Sequence, residues 1–359
     1  MNSILKHTPL YDWHKSQGAK TADFGGWDMP IEYEGVVSEH ESVRTAVGIF
    51  DVSHMGKLEI SGEGAVEWLN TLLTNNLETL ATGKAQYSML LNAYGGVIDD
   101  LIVYKFRNDL VWIVPNASNA HDVYSVLETF RPQNIILKNH HESLGIIAVQ
   151  GPKSIDAVAA LGLPTDLEYM SAVLTNLEGK EVVLCRSGYT GETGFEIIAP
   201  NEILQTVWDK LITAGAAPIG LAARDTLRLE MGYALHGHEI TADINPIEAG
   251  LSWAVDFEKP KFQGRESILA VKAAGANRKR VALSALERGI PRADMNVMLG
   301  EEIVGQTTSG TFSPTLKNGI ALALVSTSLK LGDQLELDVR GRRLKVEVVK
   351  LPFVPSKTN

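Results

Sequence analysis

The stretch Gly95-Gly96-Val97-Ile98-Asp99-Asp100-Leu101-Ile102-Val103-Tyr104 decides how the chain is read. Two glycines permit a tight turn or a close backbone approach. An apolar strand follows, with two carboxylates at its mouth. Successive strand side chains point to opposite faces, so Asp99 and Asp100 do not share a pocket. One of them is a partly buried acid that needs a partner. Solvated acids at a hairpin are the plainer reading of these residues alone.

Strand and helix patterns alternate on both sides of this stretch. Glu39 to Ala46 reads as a helix, and Lys57-Leu58-Glu59-Ile60 as a strand. Ser61-Gly62-Glu63 opens a helix carrying Val66, Leu69, Leu72 and Leu73 on one side. Tyr87 to Leu91, Val97 to Phe106 and Leu110 to Val114 read as strands. Asn119 to Phe130 is helical, with Val123, Val126, Leu127 and Phe130 as its apolar stripe. Ile146 to Val149 is a buried strand, and Ser154 to Leu161 a helix. The grammar recurs in strands Glu181 to Arg186 and Phe195 to Ala199 and in helices Leu204 to Ala214 and Ala222 to Met231. The class is α+β, built of split βαβ-like layers. Ala274 to Arg280 is small and basic, as in a linker. Short alternating strands with Gly or Pro turns follow and predict a small all-β barrel or sandwich.

The chain has 359 residues, which suggests two or three domains. A formal net charge of −10 argues against a nucleic-acid surface. The single cysteine, Cys185, lies in an apolar run and reads as a buried structural thiol. No run approaches the ~20 apolar residues of a membrane helix. The segment Met1 to His7 lacks signal-peptide or transit character, and a cytoplasmic location is expected.

Three further segments carry chemistry. Ser187-Gly188-Tyr189-Thr190-Gly191-Glu192-Thr193-Gly194-Phe195-Glu196 is a glycine-rich loop where backbone can approach a ligand. A strand follows it, so it is neither a phosphate-binding P-loop nor a dinucleotide fingerprint. Glu196 is read either as a structural partner of an arginine or as a carboxylate that takes two hydrogen bonds from an amidine-like ligand edge. Arg224 and Arg228 share one helix face, as a salt-bridge pair or as an anchor for a ligand carboxylate. His54 beside a turn reads as structural, and His236 and His238 lack a convincing third metal ligand.

Taken together, these segments resemble the glycine cleavage T-protein family of aminomethyltransferases. The resemblance runs through Asp23-Phe24-Gly25-Gly26-Trp27, Phe50-Asp51-Val52-Ser53-His54-Met55-Gly56, the Gly95 stretch and Asn116-Ala117. It continues through Gly188-Tyr189-Thr190-Gly191-Glu192, Ala222-Ala223-Arg224-Asp225, Asn245 to Leu251 and Phe262-Gln263-Gly264-Arg265-Glu266. It implies a three-domain clover-leaf around a central channel: residues 1–50 with 141–240, residues 51–140 with 241–275, and a C-terminal β-barrel over 276–359. It implies transfer of the methylene of an aminomethyl group from the lipoyl arm of H-protein to tetrahydrofolate. Ammonia, 5,10-methylenetetrahydrofolate and dihydrolipoyl H-protein are the products, with no metal, flavin, nucleic acid or membrane involved. By the same resemblance, Asp100 is the catalytic candidate, Glu196 reads the pteridine edge, and Arg224 meets folate's anionic tail. Tyr189, Met55, Asn116, Trp253 and Tyr87 line the folate site. Pro115 stands where the family has a residue able to donate an N–H, which leaves the pose of Asn116 open. The alternative is a folate-binding relative acting in iron–sulfur assembly or tRNA modification. Such relatives carry a cysteine in the stretch matching Lys259 to Glu266, which has none here. A basic H-protein docking patch is expected at Arg278, Lys279 and Arg280.

Overall fold

In the computed structural model, which describes residues 4–339 and 341–358, the stretch after Gly96 is the strand Val97–Arg107. Met1 to Ser3, the first part of the segment read for signal or transit character, lie outside the described residues. Gly95 has φ +86° and turns the chain, while a Cβ on Gly96 would fall 1.7 Å from the Ala242 carbonyl oxygen. The second glycine therefore admits protein backbone.

Val97–Arg107 lies in a five-stranded antiparallel sheet ordered Lys84–Leu91, Val97–Arg107, Leu110–Pro115, Leu58–Ser61, Ile136–Asn139. Helices Ala65–Asn70 and Ala120–Phe130 cover one face through Val66, Leu69, Val123 and Leu127. The first helix is shorter than expected, and Leu72 and Leu73 are buried from the turns that follow it. Phe130 departs from its expected stripe: at the last position of its helix, past the final buried turn, it is 55% exposed.

The chain enters a second sheet before building the first and returns to it afterwards. This six-stranded sheet is ordered Ala172–Leu177, Lys180–Cys185, Gly194–Pro200, Leu144–Gln150, Gly48–Asp51, Ala217–Pro218, with only the last pair parallel. Helix Asn201–Thr213 packs on it through Leu204, Val207, Trp208 and Leu211, all fully buried. Ile244, Ala249, Leu251 and Ile268 pack instead on Met89, Leu91 and Val97 of the five-stranded sheet.

The C-terminal strands close a six-stranded barrel: Arg278–Ala285, Asn318–Ser326, Glu302–Ser313, Asn296–Leu299, Gln334–Val339, Arg342–Val349. Its interior holds Val281, Leu283, Val297, Ala323, Leu337 and Val346. Asn296–Leu299 is a strand the sequence reading did not anticipate. The expected linker stops short, because Arg278, Lys279 and Arg280 already belong to the first barrel strand. Two of these three residues are engaged within the chain: Arg278 Nε donates to Glu248 at 2.7 Å, and Arg280 Nη1 to the Gly232 carbonyl at 3.0 Å. Among the described residues no helix is long and apolar enough to cross a membrane.

Helix Leu221–Glu230 joins the bodies. Its last residue, the fully buried Glu230, accepts from Arg44 Nη2 at 2.8 Å and from Ser313 Oγ at 2.5 Å, with His40 Nε2 at 3.3 Å. Burial works to raise the Glu230 carboxyl, but the His40 imidazole, the Ser313 hydroxyl and the Arg44 guanidinium hold it down at about 2. A depressed carboxyl contributes stability above its ordinary range of ~4.3, and that stability is lost as pH falls through about 2. Glu230→Gln should therefore destabilise the fold at pH 7 by about 3–5 kcal/mol, the cost of breaking a buried pair. Thermal unfolding followed from pH 7 to 3 should show the gap to wild type narrowing as pH falls; a pH-independent gap would contradict this.

Candidate active site

The two sheets, the loop after helix Leu221–Glu230 and the barrel enclose a cavity of about 1080 Å³. Met55, Tyr87, Asp100, Asn116, Tyr189, Glu196, Arg224 and Trp253 all line it. Eight positions spread over 199 residues of sequence thus converge on one space, at a volume suited to a drug-sized or larger ligand.

The acid pair is built by strand alternation. Asp99 is fully buried and points away from the cavity, where it accepts from Asn116 N (2.9 Å), Asn116 Nδ2 (2.9 Å) and Asn119 Nδ2 (2.7 Å). Asp100 faces the cavity and accepts from Tyr87 OH at 3.0 Å and from Asn116 Nδ2 at 2.8 Å. One asparagine therefore grips both acids. Pro115 does not disturb it, because the donor to Asp99 is the N–H of Asn116 itself. The Pro115 carbonyl accepts from Gly56 N at 2.9 Å, and its ring packs where a Cβ on Gly56 would fall, 2.6 Å from Pro115 Cγ. Burial pushes the Asp99 carboxyl well above its ordinary range, the Asp100 charge adds to this, and the Asn119 and Asn116 donors oppose it. Burial also raises the Asp100 carboxyl, against the Tyr87 hydroxyl, the His236 charge and the Asn116 amide.

Across the cavity, Glu196 alternates with the fully buried Phe195 on strand Gly194–Pro200. No arginine pairs with it among the described residues. Its Oε2 accepts from Ser187 Oγ at 2.5 Å, with Tyr104 OH at 3.4 Å, and its Oε1 receives no hydrogen bond among the described residues. The glycines of this loop serve the protein, not primarily a ligand: a Cβ on Gly188 would sit 2.0 Å from Gln150 Oε1, and one on Gly194 2.3 Å from Gln150 Nε2.

The two arginines on helix Leu221–Glu230 have different fates. Arg228 is buried and fully engaged, with Asp225 at 2.8 Å, Glu239 at 3.1 Å and Ser309 at 2.8 Å. Arg224 carries a buried Nη1 with no hydrogen-bond partner among the described residues. Its guanidinium lies 4.8 Å from the centre of the Tyr189 ring, and burial lowers its pKa from the usual value while the Glu196 charge opposes this. The Tyr189 hydroxyl donates to the Ala234 carbonyl. Trp253 stacks obliquely on Tyr87 at 5.3 Å and is 67% exposed, which marks the open edge of the cavity.

The histidines also line the cavity. His236 Nε2 lies 3.1 Å from the Val97 carbonyl and His238 Nδ1 2.8 Å from the Thr308 carbonyl. Burial pushes His54 down to about 3, so it is neutral. Among the described residues no group of three or more His, Cys, Asp or Glu is arranged to hold a metal.

With this geometry in view, the comparisons are decisive. Residues 10–259 match the family model described as the GCVT N-terminal domain, and residues 278–355 match the glycine cleavage T-protein C-terminal barrel domain. The chain belongs to the glycine cleavage T-protein family. The aminomethyltransferase of Mycobacterium avium (strain 104) is 48% identical over 360 residues, covering 99% of this chain and 98% of that protein. The aminomethyltransferase of Frankia alni is 49% identical over 359 residues, covering 98% of each. The solved glycine cleavage system aminomethyltransferase T from Bartonella henselae superposes with a TM-score of 0.94 at 36% identity, covering 98% of this chain and 99% of that one.

Sequence reading missed Arg280, which lines this T-protein cavity from the barrel side. Its signal was available: extending the alternation of Val281 and Leu283 backwards places Arg280 on the outer face of that strand. Tyr104 was likewise read only as part of an apolar strand.

The acid pair separates two outcomes. A carboxyl raised in the folded state contributes stability below its ordinary range of ~3.9, and that stability is lost as pH rises through the raised value. Asp100→Asn should thus unfold at or above the wild-type temperature at pH 7, with the difference vanishing below pH ~4. Asp99 is raised as well, so its amide gains the same relief, but Asp99→Asn should still unfold earlier, by about 1–3 kcal/mol, because one amide oxygen cannot accept all three buried N–H groups and that loss outweighs the relief. Parallel melting curves of the two variants check the assignment; equal effects would refute it.

Proposed function

We propose that this T-protein transfers the methylene of an aminomethyl group, carried on the lipoyl arm of H-protein, to tetrahydrofolate. Ammonia leaves, and the products are 5,10-methylenetetrahydrofolate and the dihydrolipoyl arm. The reading includes a cytoplasmic setting. One observation carries it: a cavity acid held by two donors shares its space with an unpartnered guanidinium nitrogen and an open carboxylate oxygen.

Those residues fit a reduced folate. The Glu196 carboxylate can accept from the paired N–H groups of an amidine edge, with its open Oε1 taking one of them, and Arg224 Nη1 can donate to an anionic ligand group. Tyr189, Met55 and Trp253 supply apolar and aromatic walls. Bound tetrahydrofolate would supply the nucleophilic nitrogen that accepts the one-carbon unit.

Asp100 acts by its charge and by its proton affinity. Tyr87 and Asn116 fix it, so it costs no reorganisation when positive charge develops beside it. Its raised pKa brings it closer to the range where a carboxylate can take up the proton shed by the attacking nitrogen and return it to the nitrogen that departs as ammonia. Holding arm and acceptor together in one enclosed space supplies much of the rate, since proximity can contribute ~7–11 kcal/mol at best.

The test is ammonia release from aminomethylated H-protein with and without tetrahydrofolate. Asp100→Asn should lower folate-dependent turnover by about 10²–10⁴-fold. Arg224→Gln should raise KM for tetrahydrofolate by about 10-fold or more while kcat falls less, as expected for a lost charged hydrogen bond. Wild-type turnover in Asp100→Asn would reject the role of Asp100, and tetrahydrofolate-independent ammonia release would reject the acceptor.

A further inference from the structure

Glu196 is held from behind by two hydroxyl groups that play no part in the proposed chemistry. Ser187 is buried, and its Oγ donates to Glu196 Oε2 at 2.5 Å. Tyr104 is 1% exposed, and its OH lies 3.3 Å from Ser187 Oγ and 3.4 Å from Glu196 Oε2. Burial raises the Tyr104 phenol well above its ordinary value, so it remains a proton donor. The serine is itself fixed: Gln150 Nε2 donates to its carbonyl at 3.1 Å, and Gln150 Oε1 accepts from Thr190 Oγ1 at 2.8 Å. Tyr104 belongs to the five-stranded sheet, Glu196 to the six-stranded sheet and Ser187 to the loop that precedes the Glu196 strand, so the chain of hydroxyls crosses between the sheets.

We propose that Ser187 and Tyr104 are positioning residues that pin one oxygen of Glu196 and thereby hold the carboxylate in the orientation that selects ligands with two adjacent N–H donors. The inference rests on the reading of Glu196 as the reader of an amidine edge. Without the pin, the glutamate has several staggered rotamers open to it in the cavity. Pinned, its free oxygen is aimed before a ligand arrives. A ligand that lacks one of the two donors then leaves a buried acceptor unpaired, which is the strongest form of discrimination a binding site has.

The experiment compares two ligands on wild type, Ser187→Ala, Ser187→Thr and Tyr104→Phe. One ligand is 5-formyltetrahydrofolate; the other is its analogue with methyl in place of the 2-amino group. Calorimetry gives Kd, and the coupled assay gives KM and kcat with tetrahydrofolate. Wild type should prefer the amino ligand by about 10-fold or more. Ser187→Ala should lose most of that preference and raise KM more than it lowers kcat. Tyr104→Phe should lose part of it, and Ser187→Thr should restore it. Full preference in both Ser187→Ala and Tyr104→Phe would overturn the positioning role and leave the reading of Glu196 intact. No preference in wild type would overturn the reading of Glu196 and this inference with it. If Ser187→Ala does not fold, Tyr104→Phe decides alone.

Discussion

The side chain of Asn116 holds two carboxylates that follow one another on a single strand, and the rest of the cavity is arranged around that grip. Adjacent acids in a low-dielectric site repel, and each is costly to bury unpaired. The amide resolves the conflict by donating to Asp99 and Asp100 at once, at 2.9 and 2.8 Å. The backbone N–H of the same residue adds a third bond, at 2.9 Å. Asn119, at the start of helix Ala120–Phe130, completes the cradle from a helix end that favours negative charge. Asp99 is consequently a foundation: the buried acid fixes the asparagine, and the asparagine fixes the acid that faces the cavity.

That arrangement needs both sheets. Asp100, Tyr87 and Asn116 come from the five-stranded sheet and its margins, whereas Glu196, Ser187 and Tyr189 come from the six-stranded sheet and its loop. The chain crosses between them after Asp51 and again before Leu144, so the six-stranded sheet is split in sequence and the five-stranded sheet is inserted within it. Helix Leu221–Glu230 then ties both to the barrel. One turn of that helix separates Arg224, which keeps a free nitrogen, from Arg228, whose guanidinium is saturated by Asp225, Glu239, Tyr233 and Ser309. The saturated arginine anchors the helix so that the unsaturated one can be offered to the cavity.

Most elements were legible because their signals are local. Alternation over Val97 to Phe106 and the 3.6-residue stripe over Leu204 to Ala214 need no knowledge of distant chain. The opposite facing of Asp99 and Asp100 followed from strand geometry alone. What was not legible depends on who fills a space. Gly188 and Gly194 look like a ligand-binding loop, yet their missing Cβ atoms accommodate Gln150, nearly forty residues earlier in one case and over forty in the other. Gly96 looks like a turn residue, and it yields to Ala242. Arg280 looked like linker because its neighbours are small and basic, although its carbonyl partner Gly232 lies on the far side of the cavity-lining loop. The family resemblance located eight cavity residues; it did not say which hydroxyls hold them in place.

Glu196 and Arg224 share one cavity and do not pair with each other among the described residues. Their charges act on each other, as the opposing effect on Arg224 records. Each is backed by a different group: Ser187 Oγ donates to Glu196 Oε2 at 2.5 Å, and the Arg224 guanidinium lies 4.8 Å from the centre of the Tyr189 ring. Leaving the buried Nη1 of Arg224 without a partner costs the free protein about 1–3 kcal/mol. On the proposed reading, an anionic ligand group recovers that cost, and an N–H pair elsewhere on the same ligand meets the open carboxylate oxygen of Glu196.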